Sequence, residues 1–164
     1  MPERDYVDQD FKFSYTGIFD DDELYKALYR WFRKHGYTWR ELDCRDYKIE
    51  GKRRCFIKWE AEKEISDYVQ YKIETEITMT NCQDVIADKK KKMRATLTMK
   101  FSAYLWSDYE EAWVRSSFLK FLKEFSDKYF FGSKTKRMQH ELKNELHELV
   151  TELKNYLNLL TFGK

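Results

Sequence analysis

The stretch MRATLTMKFSAYLW, residues 93–106, decides the fold. Met93, Ala95, Leu97, Met99, Phe101, Ala103 and Leu105 occupy every second position, with Arg94, Thr96, Thr98 and Lys100 between them. A period of two is the pattern of a strand, whose successive side chains point to opposite faces. Upstream, Val69, Tyr71, Ile73, Ile77 and Met79 alternate with Lys72, Glu74, Glu76 and Thr78, and Cys55, Ile57, Trp59 and Ala61 share one face of an earlier run. Gly51, between YKIE and RRCFIKW, marks one hairpin turn, and the basic tract DKKKK at 88–92 marks another. Consecutive strands joined by short links pair antiparallel. Residues 38–106 therefore read as a β-meander with one apolar and one polar face. The rest of the chain must supply helices to cover the apolar face.

Working outward, Phe11, Phe13 and Tyr15 alternate with polar residues and predict a strand over 11–18, after a flexible acidic arm at 1–10. Asp20 with Glu23 three residues later forms a capping box, and Phe19 before it can staple against Leu24. Leu24, Tyr25, Leu28, Trp31 and Phe32 follow at helical spacing, and Gly36 suits the stop, so a helix is expected over 21–35. Residues 110–162 read as helical. Trp113, Phe118, Phe121, Leu122, Phe125 and Tyr129 form an aromatic stripe, and Gly132 and Ser133 interrupt it. Beyond Lys134, Leu142, Leu146, Leu149, Leu153, Tyr156 and Leu160 alternate steps of four and three, a heptad seam. Val150 and Leu157 widen its C-terminal half, so that half is expected to pack on the chain's own sheet. The narrower half, with Met138, Leu142 and Leu146, is expected to project and bind a partner. The fold class is α+β: an antiparallel meander of four to five strands, with an N-terminal helix and a long C-terminal helical region on one face, in a single domain over 11–164.

Composition agrees with one folded domain. Of 164 residues, 42% are hydrophobic and 18% aromatic, enough apolar surface to offset the entropy of folding. The charged fraction is 37% but the signs nearly cancel at +2, unlike a disordered chain. No apolar run approaches the ~20 residues that span a bilayer. The acidic start lacks the basic and apolar regions of a secretory signal, so a cytoplasmic protein is expected. Three cysteines, Cys44, Cys55 and Cys82, read as reduced thiols. With the turn at Gly51, Cys55 should lie opposite a residue near Tyr47 or Lys48 rather than opposite Cys44.

No catalytic, cofactor or metal set emerges. His140 and His147 are seven residues apart, ~10 Å along a helix, too far for one ion without a third element. GxGxxG and GxxxxGK are both absent. Basic clusters do occur at the expected turns: Lys52, Arg53 and Arg54, then Lys89, Lys90, Lys91 and Lys92, with Lys134, Lys136 and Arg137 at a later junction. Tyr37, Trp39 and Tyr47 are candidate stacking surfaces for bases. A dedicated nucleic-acid binder usually carries a larger excess of positive charge than +2. The sequence therefore ranks a non-enzymatic interaction or assembly module first, acting on a protein partner or a second copy through the heptad helix or the exposed sheet face. RNA binding through the basic turns comes next. The order strand, helix, meander, long helix also resembles helix-grip folds, which implies an apolar small molecule held between a curved sheet and the C-terminal helix.

Overall fold

Glu50 and Gly51 both take positive φ, 53° and 79°, and reverse the chain in two residues between Ile49 and Lys52. Positive φ at both centres is the turn geometry that matches the twist of the flanking strands. It joins β2 (Thr38–Ile49) to β3 (Lys52–Ser66). A second reversal, with Lys89 at φ 63°, joins β4 (Val69–Ala87) to β5 (Lys90–Ser107). The computed structural model describes residues 3–66, 69–87, 89–107 and 131–162. β1 (Glu3–Phe19) and α1 (Asp21–Lys34) precede the meander, and α2 (Phe131–Phe162) follows it. All strand pairs are antiparallel, in the order β1-β5-β4-β3-β2. The α+β fold class expected from the sequence is the one observed.

The chain departs from the sequence reading at its start. Residues 3–10 do not form a loose arm; they extend β1 and pair with the far end of β5, from Glu3 opposite Ser107 to Asp8 opposite Ala103. The register slips on both sides of Asp8, and Asp10 takes φ 57°. Such bulges break the alternation that would have marked a strand.

α1 begins and ends as its sequence dictates. The Asp20 carboxylate accepts from the Glu23 amide at 3.2 Å. Gly36 sits at φ 83°, and the amides of Tyr37 and Gly36 donate to the carbonyls of Phe32 and Arg33. This paired closure is the Schellman arrangement, which needs left-handed backbone at the glycine.

Both helices lie on the sheet's apolar face. Trp59, Ile73, Leu97, Phe101 and Leu28 join one core, each no more than 1% exposed. α2 contacts β1, β3 and β4. Its Glu141 accepts from the Tyr71 hydroxyl of β4, and Glu145 accepts from Lys63 of β3 and from the Tyr37 hydroxyl. Gln139 reaches Asp5 and His147 lies 3.6 Å from Asp8, both on β1. The aromatic stripe from Trp113 to Tyr129 lies outside the described residues.

Candidate nucleic-acid interface

Antiparallel register aligns the outer face of the sheet into cross-strand rows. One row runs Lys12, Lys100, Glu76, Lys58, Asp43, from β1 to β2. Its signs largely compensate: Lys100 and Lys58 reach Glu76 at 3.2 and 3.8 Å. The Glu76 hydrogen bond, followed by its charge, raises the Lys100 pKa. The next row toward the hairpin turns is Ser14, Thr98, Thr78, Phe56, Arg45. Beyond it Thr16, Thr96 and Thr80 align, with Arg54 and Tyr47 completing the line across β3 and β2. The hydroxyls of Ser14 and Thr98, and of Thr16 and Thr96, meet at 3.3 Å. Still further out, Ile18, Arg94 and Gln83 align, Ile49 faces Lys52, and Lys92 and Lys90 continue the outer side of β5.

Past the Glu76 row, the outer-face strand positions among the described residues carry Arg45, Lys52, Arg54, Lys90, Lys92 and Arg94 and no carboxylate; Arg45 is engaged by Asp43 at 2.9 Å, and Glu50 stands exposed in the turn before Lys52. The other end of the same face carries Glu60, Glu62 and Glu74 around Lys72 and Tyr104. Like charges gathered on one surface reinforce each other's potential, and opposite charges a few ångströms apart cancel it.

The two turn clusters named from the sequence thus meet at one end of the sheet, but their members differ in role. Lys52 and Arg54 are exposed on the outer face, and Tyr47, 40% exposed, stands opposite Arg54. Arg53 points to the inner side, where it is committed: Asp46 receives it at 2.8 Å and Asp84 at 3.4 Å. Its hydrogen bonds hold the Asp46 carboxyl below its ordinary pKa. Lys91, on the same side, lies 3.6 Å from Asp84. Lys89 and Lys90 are exposed at the tip, and Lys92 is half-buried. Tyr37 and Trp39 do not serve the cluster. Tyr37 is buried under α2, and Trp39 packs against Trp59, Tyr25 and Tyr29.

The projecting half-helix is overturned. Met138, Leu142 and Leu146 are 8%, 0% and 0% exposed within the chain itself. The flanking Glu141 and Glu145 explain why. They take hydrogen bonds from Tyr71, Tyr37 and Lys63 and lay this half of α2 on the sheet.

Among the described residues, the side chains between sheet and α2 are closely packed. Tyr71, Ile73, Thr75, Leu97, Met99, Phe101, Leu142, Leu146 and Leu149 all have 0% exposure. A void that admits water would expose the side chains lining it. The apolar chamber implied by the helix-grip resemblance does not adjoin these residues.

Cys55 lies opposite Asp46, one residue from the expected partner, and is buried with Cys82, whereas Cys44 is exposed. Burial raises the Cys55 thiol to about 12. His35 stacks on Trp31 with centroids 4.0 Å apart. Among the described residues, no group of three or more His, Cys, Asp or Glu is placed to hold a metal ion, and no helix is long and apolar enough to cross a membrane. No family model, curated protein or solved structure matches the chain.

Proposed function

We propose that the chain binds single-stranded RNA across the hairpin end of the sheet's outer face. The observation that carries this reading is the run of outer-face rows with cations and hydroxyls but no carboxylate. Lys52, Arg54, Lys90 and Arg94 are suited to phosphates. The Ser/Thr belt offers donors and acceptors to ribose 2′-hydroxyls and phosphate oxygens. Tyr47, exposed beside Arg54, is a platform for a base.

Neutralising phosphates releases condensed counterions, so log K falls with log salt by about 0.7 per phosphate on a single strand. Four contacts give a slope of roughly −3. Fluorescence anisotropy with a labelled oligouridine measures it. Arg54→Glu with Arg94→Glu should weaken binding at least about tenfold, whereas reversing the exposed Lys143 on α2 should leave it intact. Equal affinity for the double reversal and the native chain would remove the proposal.

The edge strand β2, where Leu42 and Ile49 are 43% and 44% exposed, is a surface that fits the assembly reading. Arg40, Glu41, Asp43, Arg45 and Lys48 interrupt that edge, and edge charges of this kind oppose strand-to-strand addition. Light scattering that shows a dimer abolished by Ile49→Lys would revive it.

A further inference from the structure

Phe56 is out of place on the sheet's wet face. Its neighbours Cys55 and Ile57 turn toward the helices, so strand alternation sends Phe56 outward, into the row between Arg45 on β2 and Thr78 on β4. It is half-buried, yet it belongs neither to the core nor to the partly buried apolar side chains packed against it. The outward positions around it on the central strands hold charges and hydroxyls: Arg54 and Lys58 on β3, Thr78 and Thr80 on β4, Thr96 and Thr98 on β5. Removing apolar surface from water is favourable, so a large ring in that setting gains from being covered.

Tyr47 is its diagonal neighbour. Arg45 lies opposite Phe56, and Tyr47 lies opposite Arg54, one outward step further along each strand. Diagonal positions on adjacent strands are about 7–8 Å apart, within reach of aromatic side chains. The two aromatic positions are therefore adjacent on the outer face, with Arg54 next to both. Arg54 is exposed, whereas Arg45 is engaged by Asp43 at 2.9 Å. The aromatic surface ends there. Beyond Tyr47 the next outward residue of β2 is Ile49, and beyond Phe56 the next of β3 is Lys58. Neither offers a π-face.

We infer that Phe56 and Tyr47 form a two-base platform, so that the unit recognised is a pair of adjacent, unstacked nucleotides whose linking phosphate lies toward Arg54. This deepens the RNA reading and rests on it. Bases splayed from a single strand stack on aromatic side chains whatever their identity, because every base has a π-face. The cations hold the strand, and the two rings select a chain that carries bases over any other polyanion.

Fluorescence anisotropy with labelled oligouridine, set against an abasic oligoribonucleotide of the same length and charge, tests this. Each stacked base should strengthen binding by about fivefold or more, so oligouridine should bind at least about 25-fold more tightly than the abasic chain. Two adjacent uridines in an otherwise abasic oligomer should restore that gain, whereas two uridines at its opposite ends should restore only about fivefold. Phe56→Leu with Tyr47→Leu should bring oligouridine to the abasic level with the salt dependence unchanged. Phe56→Tyr with Tyr47→Phe should keep the gain. Phe56 lies outside the core, so circular dichroism should show both double variants folded. Failure of the native chain to bind oligouridine at all removes the RNA reading and the platform together. Binding that is equal for the abasic oligomer, or untouched by the double leucine change, overturns the platform and leaves the RNA reading standing. A gain that does not depend on the two uridines being adjacent overturns the pairing of the rings.

Discussion

Replacing Glu145 by alanine should destabilise the fold more than any other single change to a polar residue of α2. The carboxylate accepts from the Tyr37 hydroxyl at 2.5 Å and from the Lys63 ammonium at 3.0 Å. It is well shielded, with its side chain 14% exposed and that of Lys63 24% exposed. Truncation strands two donors at once. The Tyr37 hydroxyl sits in a residue only 4% exposed. Burial, together with this carboxylate, already pushes its pKa far above the ordinary tyrosine value, so it stays protonated and needs an acceptor. A hydrogen bond to a charged partner is worth about 1.5–3 kcal/mol, and breaking a buried ion pair from one side costs about 3–5 kcal/mol. Water reaches Lys63 in part, so about 3–4 kcal/mol is the expected loss, a fall in Tm of roughly 6–16 °C for a chain of this size.

Urea unfolding followed by circular dichroism measures the loss. The exposed Lys143→Ala serves as the control, expected within about 0.5 kcal/mol of the native chain. In a Lys63→Met background the same truncation should cost less, by about 1–2 kcal/mol, because one of the two stranded donors is gone. A Glu145→Ala loss below about 1 kcal/mol would refute the reasoning: α2 would then be held by its leucine seam alone.

Thr75 is 0% exposed and its hydroxyl has no partner, so Thr75→Val should raise stability by about 1–2 kcal/mol, read from the same urea curves; a loss would mean that the hydroxyl is satisfied in solution. Stability should also decline at high pH. Burial raises Cys55 from 9.0 to about 12 and Tyr156 from 10.0 to about 12, and Tyr71 and Tyr104 move in the same direction. Between the unfolded and folded values the unfolded chain has released protons that the folded one keeps. The contribution is therefore fully present below about pH 9 and is lost progressively as pH rises from 9 through 12. A flat stability profile across that window would contradict the burial of these groups.

Much of the fold was legible because the strands bury only one face. Val69 to Met79 and Met93 to Leu105 alternate without interruption, and the structure preserves that alternation. The reading failed where a bulge resets the pattern. At Asp10 it hid a strand extension, and between Thr80 and Gln83 it turns Cys82 inward after Met79, with Asn81 at φ 54°. Sequence periodicity cannot register an extra residue that changes face. The candidate interface was half legible. The turn clusters were visible, but the hydroxyl belt and the opposite roles of Arg53 and Arg54 depend on which face each residue occupies.

The heptad seam and the near-neutral charge misled for a related reason: each is a property of the chain rather than of a surface. Leucines at steps of four and three state that one stripe of α2 must be buried, not against what. The partner is decided by Glu141 and Glu145, whose donors lie in the chain's own β2–β4 region. Once that stripe is consumed, the hairpin end of the sheet's outer face, with Lys52, Arg54, Lys90 and Arg94 exposed, is a surface left for work. Its charge is not the +2 of the whole chain. Asp21, Asp22 and Glu23 are spent at the positive end of α1, Asp46 and Asp84 on Arg53, and Glu141 and Glu145 on Tyr71, Tyr37 and Lys63. Salt limits the reach of a charge to about 8 Å under physiological conditions. A bound polyanion would therefore sense the local rows around Arg54 and Arg94, whose outer-face strand positions hold cations and hydroxyls, more than the cancellation achieved elsewhere.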